Sequence, residues 1–143
     1  MITTSNLYSS SYSAIKTFLE GLSADPKKRY RGNFVHASTP NINAKEFEGY
    51  PFIVLKIDIM EDKPTLDGQI SDKNFRAQLM IYCEDATDLD NISDKITSNY
   101  KSETQLTDFQ NKNLTSSPIN YLMDMKGKKI LYRNIWLTFK KRI

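Results

Sequence analysis

The chain has 143 residues, 39% hydrophobic and 26% charged, with a net charge of +3 and a pI near 8.9. That length makes one domain with one core, and that composition excludes disordered, collagenous and fibrous classes. A single cysteine, Cys83, and a single histidine, His36, exclude an internal disulfide framework, a cysteine-rich zinc site and a two-histidine metal centre.

In chain order, the first element is a helix over about Thr4–Leu22. Ile15, Phe18, Leu19 and Leu22 make one apolar stripe, which Leu7 and Ser11 extend. Asp25-Pro26 ends it, because the residue before proline is pushed out of the helical region. Residues 27–48 read as loop with one short strand near Asn33–Ala37.

Tyr50–Met60 is the strongest strand signal. Ile53, Leu55, Ile57 and Ile59 fall on one face, and Phe52, Val54, Lys56 and Asp58 on the other. Glu61–Lys73 follows, with turn signals at Pro64 and Asp67-Gly68. It is either the extended tip of a long hairpin or a flexible arm, and the hairpin is favoured. The second strand, Asn74–Cys83, sets Phe75, Ala77, Leu79, Ile81 and Cys83 against Asn74, Arg76, Gln78, Met80 and Tyr82. One face belongs to the core and the other is wet or interfacial.

A second helix follows Glu84-Asp85. Thr87 and Asp90 have capping-box-like spacing, and Leu89, Ile92, Ile96 and Tyr100 form its buried stripe. A helical turn near Glu103–Phe109 points Leu106 and Phe109 inward. The chain ends in a hairpin: Ile119–Met125 runs out, Lys126-Gly127 turns, and Lys129–Phe139 returns. Leu131, Ile135, Leu137 and Phe139 share one face of the last strand, interrupted by Arg133. Ile130, Tyr132, Trp136 and Thr138 take the other. A strand with no plainly polar face is either central and covered on both sides or part of a subunit contact. The sum is α+β: a mainly antiparallel sheet of about four strands with helices packed on one face, in a single domain over residues 1–143.

The chain offers little for chemistry. The five glycines are scattered and form no phosphate cradle. Cys83 continues the buried face of its strand, so a packed thiol is expected rather than a nucleophile. His36 reads as a loop or strand-edge residue. Asp58, Glu61, Asp62 and Lys63 resemble the carboxylate-plus-lysine set of a magnesium nuclease, but the last three lie in or next to a turn with Asp58 three residues earlier on the same strand, and a solvated acidic loop is the plainer reading. No catalytic, cofactor or metal residue is expected. Lys27, Lys28, Arg29 and Arg31 form a basic cluster opposite in sign to Asp58, Glu61, Asp62 and Asp67. The two clusters are candidates for complementary subunit contacts. Trp136 and the terminal Lys140, Lys141 and Arg142 are further candidates, the last three as a docking patch or as charges that keep a strand end from aggregating.

Several landmarks resemble the tail-terminator (tail-completion) proteins of long-tailed bacteriophages. They are the amphipathic first helix, the aromatic-Pro-aliphatic start of the strand YPFIVLKI, and the run RAQLMIYCED flowing into DATDLDNISDKITSNY. The closing strand KKILYRNIWLTF completes the set. The Ser-rich start and the long Glu61–Lys73 connection depart from that pattern. The resemblance implies a structural virion protein without catalytic residues or cofactors. It implies a homo-oligomeric ring, typically a hexamer, at the head-proximal end of the tail tube. Such a ring halts tube polymerisation and meets the tail tube protein on one side and a head-connector or neck protein on the other. DNA would be passing cargo only. No apolar run approaches the ~20 residues of a membrane span, and no leader is visible at the start, so the host cytoplasm and then the virion are the expected locations. Two alternatives stay open: a tail-tube or neck subunit of another type, and a small DNA-binding or nuclease module using Arg29, Arg31 and the Asp58–Lys63 carboxylates.

Overall fold

Alternation of apolar side chains along three long strands builds the centre of the molecule. The computed structural model describes residues 4–22, 24–25, 34–45, 47, 49–59, 72–102, 106 and 108–142, excluding the side chains of residues 4–8, 59, 72 and 142. Its elements are α1 (Thr4–Gly21), β1 (Val35–His36), β2 (Phe52–Ile59), β3 (Asp72–Cys83), α2 (Ala86–Asn99), β4 (Gln110–Ser116), β5 (Asn120–Met123) and β6 (Lys129–Arg142). The strands form one 6-stranded sheet in the order β1-β2-β3-β6-β4, with β5 also paired to β6. β1 runs parallel to β2, and the other pairings are antiparallel. The architecture is therefore α+β as expected, but the sheet is mixed and has more strands than the expected four.

One face of this sheet is the core. Ile53, Leu55 and Ile57 of β2, Phe75, Ala77, Leu79, Ile81 and Cys83 of β3, and Ile135, Leu137 and Phe139 of β6 pack against both helices. From α1 come Ile15, Phe18 and Leu19, and from α2 come Leu89, Ile92 and Ile96, with Tyr100 just beyond. Each such large side chain contributes roughly 1.5–3 kcal/mol on burial. Leu106 and Phe109 also turn inward as expected, and the Phe109 ring stacks on Phe139 at 4.0 Å.

Two local readings change. The N-cap of α2 is Asp85, not Thr87: its carboxylate accepts the Asp88 backbone N–H at 2.8 Å. β3 ends at Cys83, so the chain turns at once and Thr87 already lies inside the helix. Gln110–Ser116, read as no element, is strand β4. Its side chains are mostly exposed, and its partner β6 selects the extended backbone rather than its own propensity.

Candidate functional site

The pleat that buries odd-numbered residues of β2, β3 and β6 sends even-numbered ones to a face that carries no helix among the described residues. Register sets Phe52 beside Tyr82 and Tyr132, and Val54 beside Met80 and Asn134. Further along come Lys56, Gln78, Trp136 and Thr115 in one row, then Asp58, Arg76, Thr138 and Asn113 in the next.

This face has two halves. At one end Tyr50 stacks on Phe52 (5.3 Å), Phe52 on Tyr82 (5.0 Å) and Tyr82 on Tyr132 (6.0 Å). Phe47 closes edge-on over Tyr50 and Phe52, and His36 sits edge-on to Phe52 at 5.8 Å. Tyr50, Phe52, Val54 and Ile130 are buried there, so this end is a second, smaller core. The Tyr50 hydroxyl donates to Asp124 Oδ2 at 3.2 Å. Burial first, then the Asp124 carboxylate, pushes the Tyr50 phenol up to about 12. Burial also raises Tyr82, with Tyr132 adding to it.

The other half is an open polar belt. Lys56, Asp58 and Arg76 are exposed, and Gln78, Trp136, Thr138 and Lys140 are half-buried. Arg76 reaches Asp58 across the strand pair at 3.9 Å. An exposed pair of this kind is worth at most about 1 kcal/mol, yet it occupies the carboxylate that the nuclease reading needs.

The structure brings Asp58, Trp136 and Lys140 onto this same helix-free face. It does not bring Lys141 there. Lys141 is buried on the helix side, with its Nζ donating to Ser10 Oγ at 3.1 Å and lying 5.4 Å from the Phe109 ring centroid. Burial lowers its pKa, opposed by Asp108. Its aliphatic stem fits a packed site, and its charge is spent within the chain rather than on a terminal basic patch. Arg142 stands in register with Asp72 at the end of β6. Lys27, Lys28, Arg29, Arg31, Glu61, Asp62 and Asp67 lie outside the described residues, as does the tip of the Glu61–Lys73 connection.

Cys83 is fully buried, and burial ahead of Asp88 and Asp85 pushes its thiol up to about 12. Among the described residues no group of three or more His, Cys, Asp or Glu is placed to hold a metal ion, and no helix is long and apolar enough to cross a membrane.

Two features escaped the sequence reading. Tyr121, Met123 and Met125 are large, apolar and at least 60% exposed, all on or beside β5. Their spacing of two was the available signal, since it puts Tyr121 and Met123 on one face. The second is a cleft of about 600 Å³ beside β2, lined by Ser9, Tyr12 and Ser13 of α1, by Ala37, and by Leu55–Asp58. The arrangement suits protein contact: an open sheet face, exposed apolar side chains at a hairpin, and a cleft along a strand. No protein-family model matches this chain, and no curated protein matches it.

Proposed function

We propose that this chain is a structural virion subunit that works by associating with copies of itself. In this reading it forms a ring on the head-proximal end of a phage tail tube, stops tube growth and gives the head connector a surface to join. The observation that carries the reading is the one-sided sheet. Helices cover one face, while the other presents Lys56, Gln78, Trp136, Thr138 and Lys140, and the neighbouring hairpin exposes Tyr121, Met123 and Met125. Tyrosine, tryptophan and methionine are the side chains that interfaces concentrate. The resemblance of the long strands and second helix to tail terminators supports the virion setting.

Electron microscopy of the concentrated protein tests this reading. Closed rings of uniform diameter are expected. Open-ended tubes would favour the tail-tube alternative, and scattered single subunits at every concentration would overturn the proposal.

A further inference from the structure

The turn before β6 fixes which way the backbone of β5 faces. Asp124 donates its N–H to the Lys128 carbonyl at 2.9 Å, so its backbone points at β6. In the register of β5 on β6, Leu122 and Asn120 repeat that inward direction, against Ile130 and Tyr132. The N–H and carbonyl groups of Tyr121 and Met123 therefore point outward, away from β6. No strand lies beside them among the described residues. The edge is open, with Tyr121 66% and Met123 60% exposed.

The other outer strands of the sheet are guarded. β1 has two residues, and β4 carries a register shift between Gln110 and Asn113, with Asn111 at φ 51. Asn120–Met123 has no charge, no proline and no register shift. An edge of that kind accepts another strand. Its side chains favour the same contact. Tyr121 and Met123 share the helix side of the sheet with Leu131 and Lys129 opposite them, and Leu122 takes the other side with Ile130. Together with Met125 in the following turn, Tyr121 and Met123 are the large exposed hydrophobic side chains of the described residues.

We propose that β5 pairs with β5 of a second copy of this chain, antiparallel and about a two-fold axis at Leu122. Tyr121 then faces Met123 of the second copy, and Met123 faces its Tyr121. Each facing pair exchanges N–H to carbonyl bonds in both directions, so every outward backbone group of Tyr121 and Met123 is satisfied. The same pairs set a methionine sulfur beside a tyrosine ring, a favourable contact in itself. Asn120 comes level with Asp124 of the second copy on the helix-free side, an amide facing a carboxylate. The antiparallel direction also sends the two lysine-bearing turns, with Lys126 and Lys128, to opposite ends of the ladder. A parallel copy would set those charges side by side. A two-fold contact uses one surface twice and closes at two copies. It therefore goes beyond the ring: where rings form, it joins subunits of two rings, and without rings it makes a dimer.

The axis sets Leu122 opposite its own copy in a non-hydrogen-bonded pair, where facing Cα atoms lie about 4.5 Å apart and a disulfide can form. The native thiol, Cys83, is fully buried and stays out of reach. Leu122→Cys alone is expected to give a reducible dimer under mild oxidation, and Thr115→Cys, at an exposed position of β4, none. No dimer from Leu122→Cys would overturn the proposal and leave this edge to a strand of another protein. An equal dimer from Thr115→Cys would overturn it by showing that the cross-link forms without the pairing. Met123→Pro removes an outward donor and no internal bond. It is expected to keep the melting temperature of the subunit and to halve the mass that light scattering finds for the wild type. An undiminished mass would overturn the strand pairing. Microscopy judges the ring separately: rings without the cross-link would reject this pairing alone, and the cross-link without rings would reject only the ring.

Discussion

Asp124 shows how one half-buried side chain ties two parts of the sheet together. Its Oδ1 accepts the backbone N–H groups of Lys126 and Lys128, both at 2.9 Å, shaping the turn before β6, where Gly127 takes φ 77. Its Oδ2 takes the Tyr50 hydroxyl from the start of β2. The Lys128 and Lys126 backbone bonds lower its pKa against a smaller opposing burial effect, and the Tyr50 bond and Lys128 charge act the same way. A carboxyl held below its ordinary value of 3.8 stabilises the fold above that pH, and the stabilisation is lost as the pH falls through the folded value. Asp124→Ala is therefore expected to melt earlier than the wild type at neutral pH, with the gap narrowing in acid below 3.8. A gap that stays constant over that range would show that the charge is not responsible. Cys83 behaves oppositely, as a sealed group. Its thiol, raised to about 12 and fully buried, is expected to resist alkylation at neutral pH until the protein unfolds. Fast labelling of the native protein would mean that β3 is not where the fold puts it.

Among elements, α2 is tied to the sheet by a residue just past its end. Tyr100 is fully buried, pushed upward in pKa by that burial, and donates its hydroxyl to the Thr138 carbonyl of β6 at 3.1 Å. Tyr100→Phe removes that bond and is expected to cost about 1 kcal/mol of stability, read from chemical denaturation. An unchanged midpoint would make the bond incidental to how α2 sits on the sheet. The three long strands and both helices were legible in the sequence because their apolar periods are strong: Ile53–Ile57, Phe75–Cys83 and Ile135–Phe139 at two, and the helical stripes at three and four. β4 was not, because Gln110–Ser116 has one large apolar residue, Leu114, and becomes a strand only where β6 offers an edge. The true cap at Asp85 was hidden by an equally plausible spacing at Thr87 and Asp90, which only the abrupt end of β3 resolves. Trp136 and Lys140 could be read as surface residues from their strand. The inward turn of Lys141 could not, since a lysine's charge says nothing of the apolar site prepared for its stem.

At the scale of the whole molecule, the sheet is a wall with one side finished. Its other side ends in a polar belt around Trp136. Trp136 is half-buried between Gln78 and Thr115 in register. Trp136→Ala is expected to cost less than the ~3–5 kcal/mol of a fully buried aromatic while reducing the assembled fraction. No change in melting or assembly would put that row outside any contact. The proposed function requires the wild-type chain to meet itself in a closed set. Light scattering coupled to size separation, run over a wide range of concentrations, tests this most directly. The account predicts one discrete species whose mass is a whole multiple of 16.5 kDa and stays fixed as concentration rises; a lone 16.5 kDa subunit throughout, or a mass that grows without limit, would contradict it.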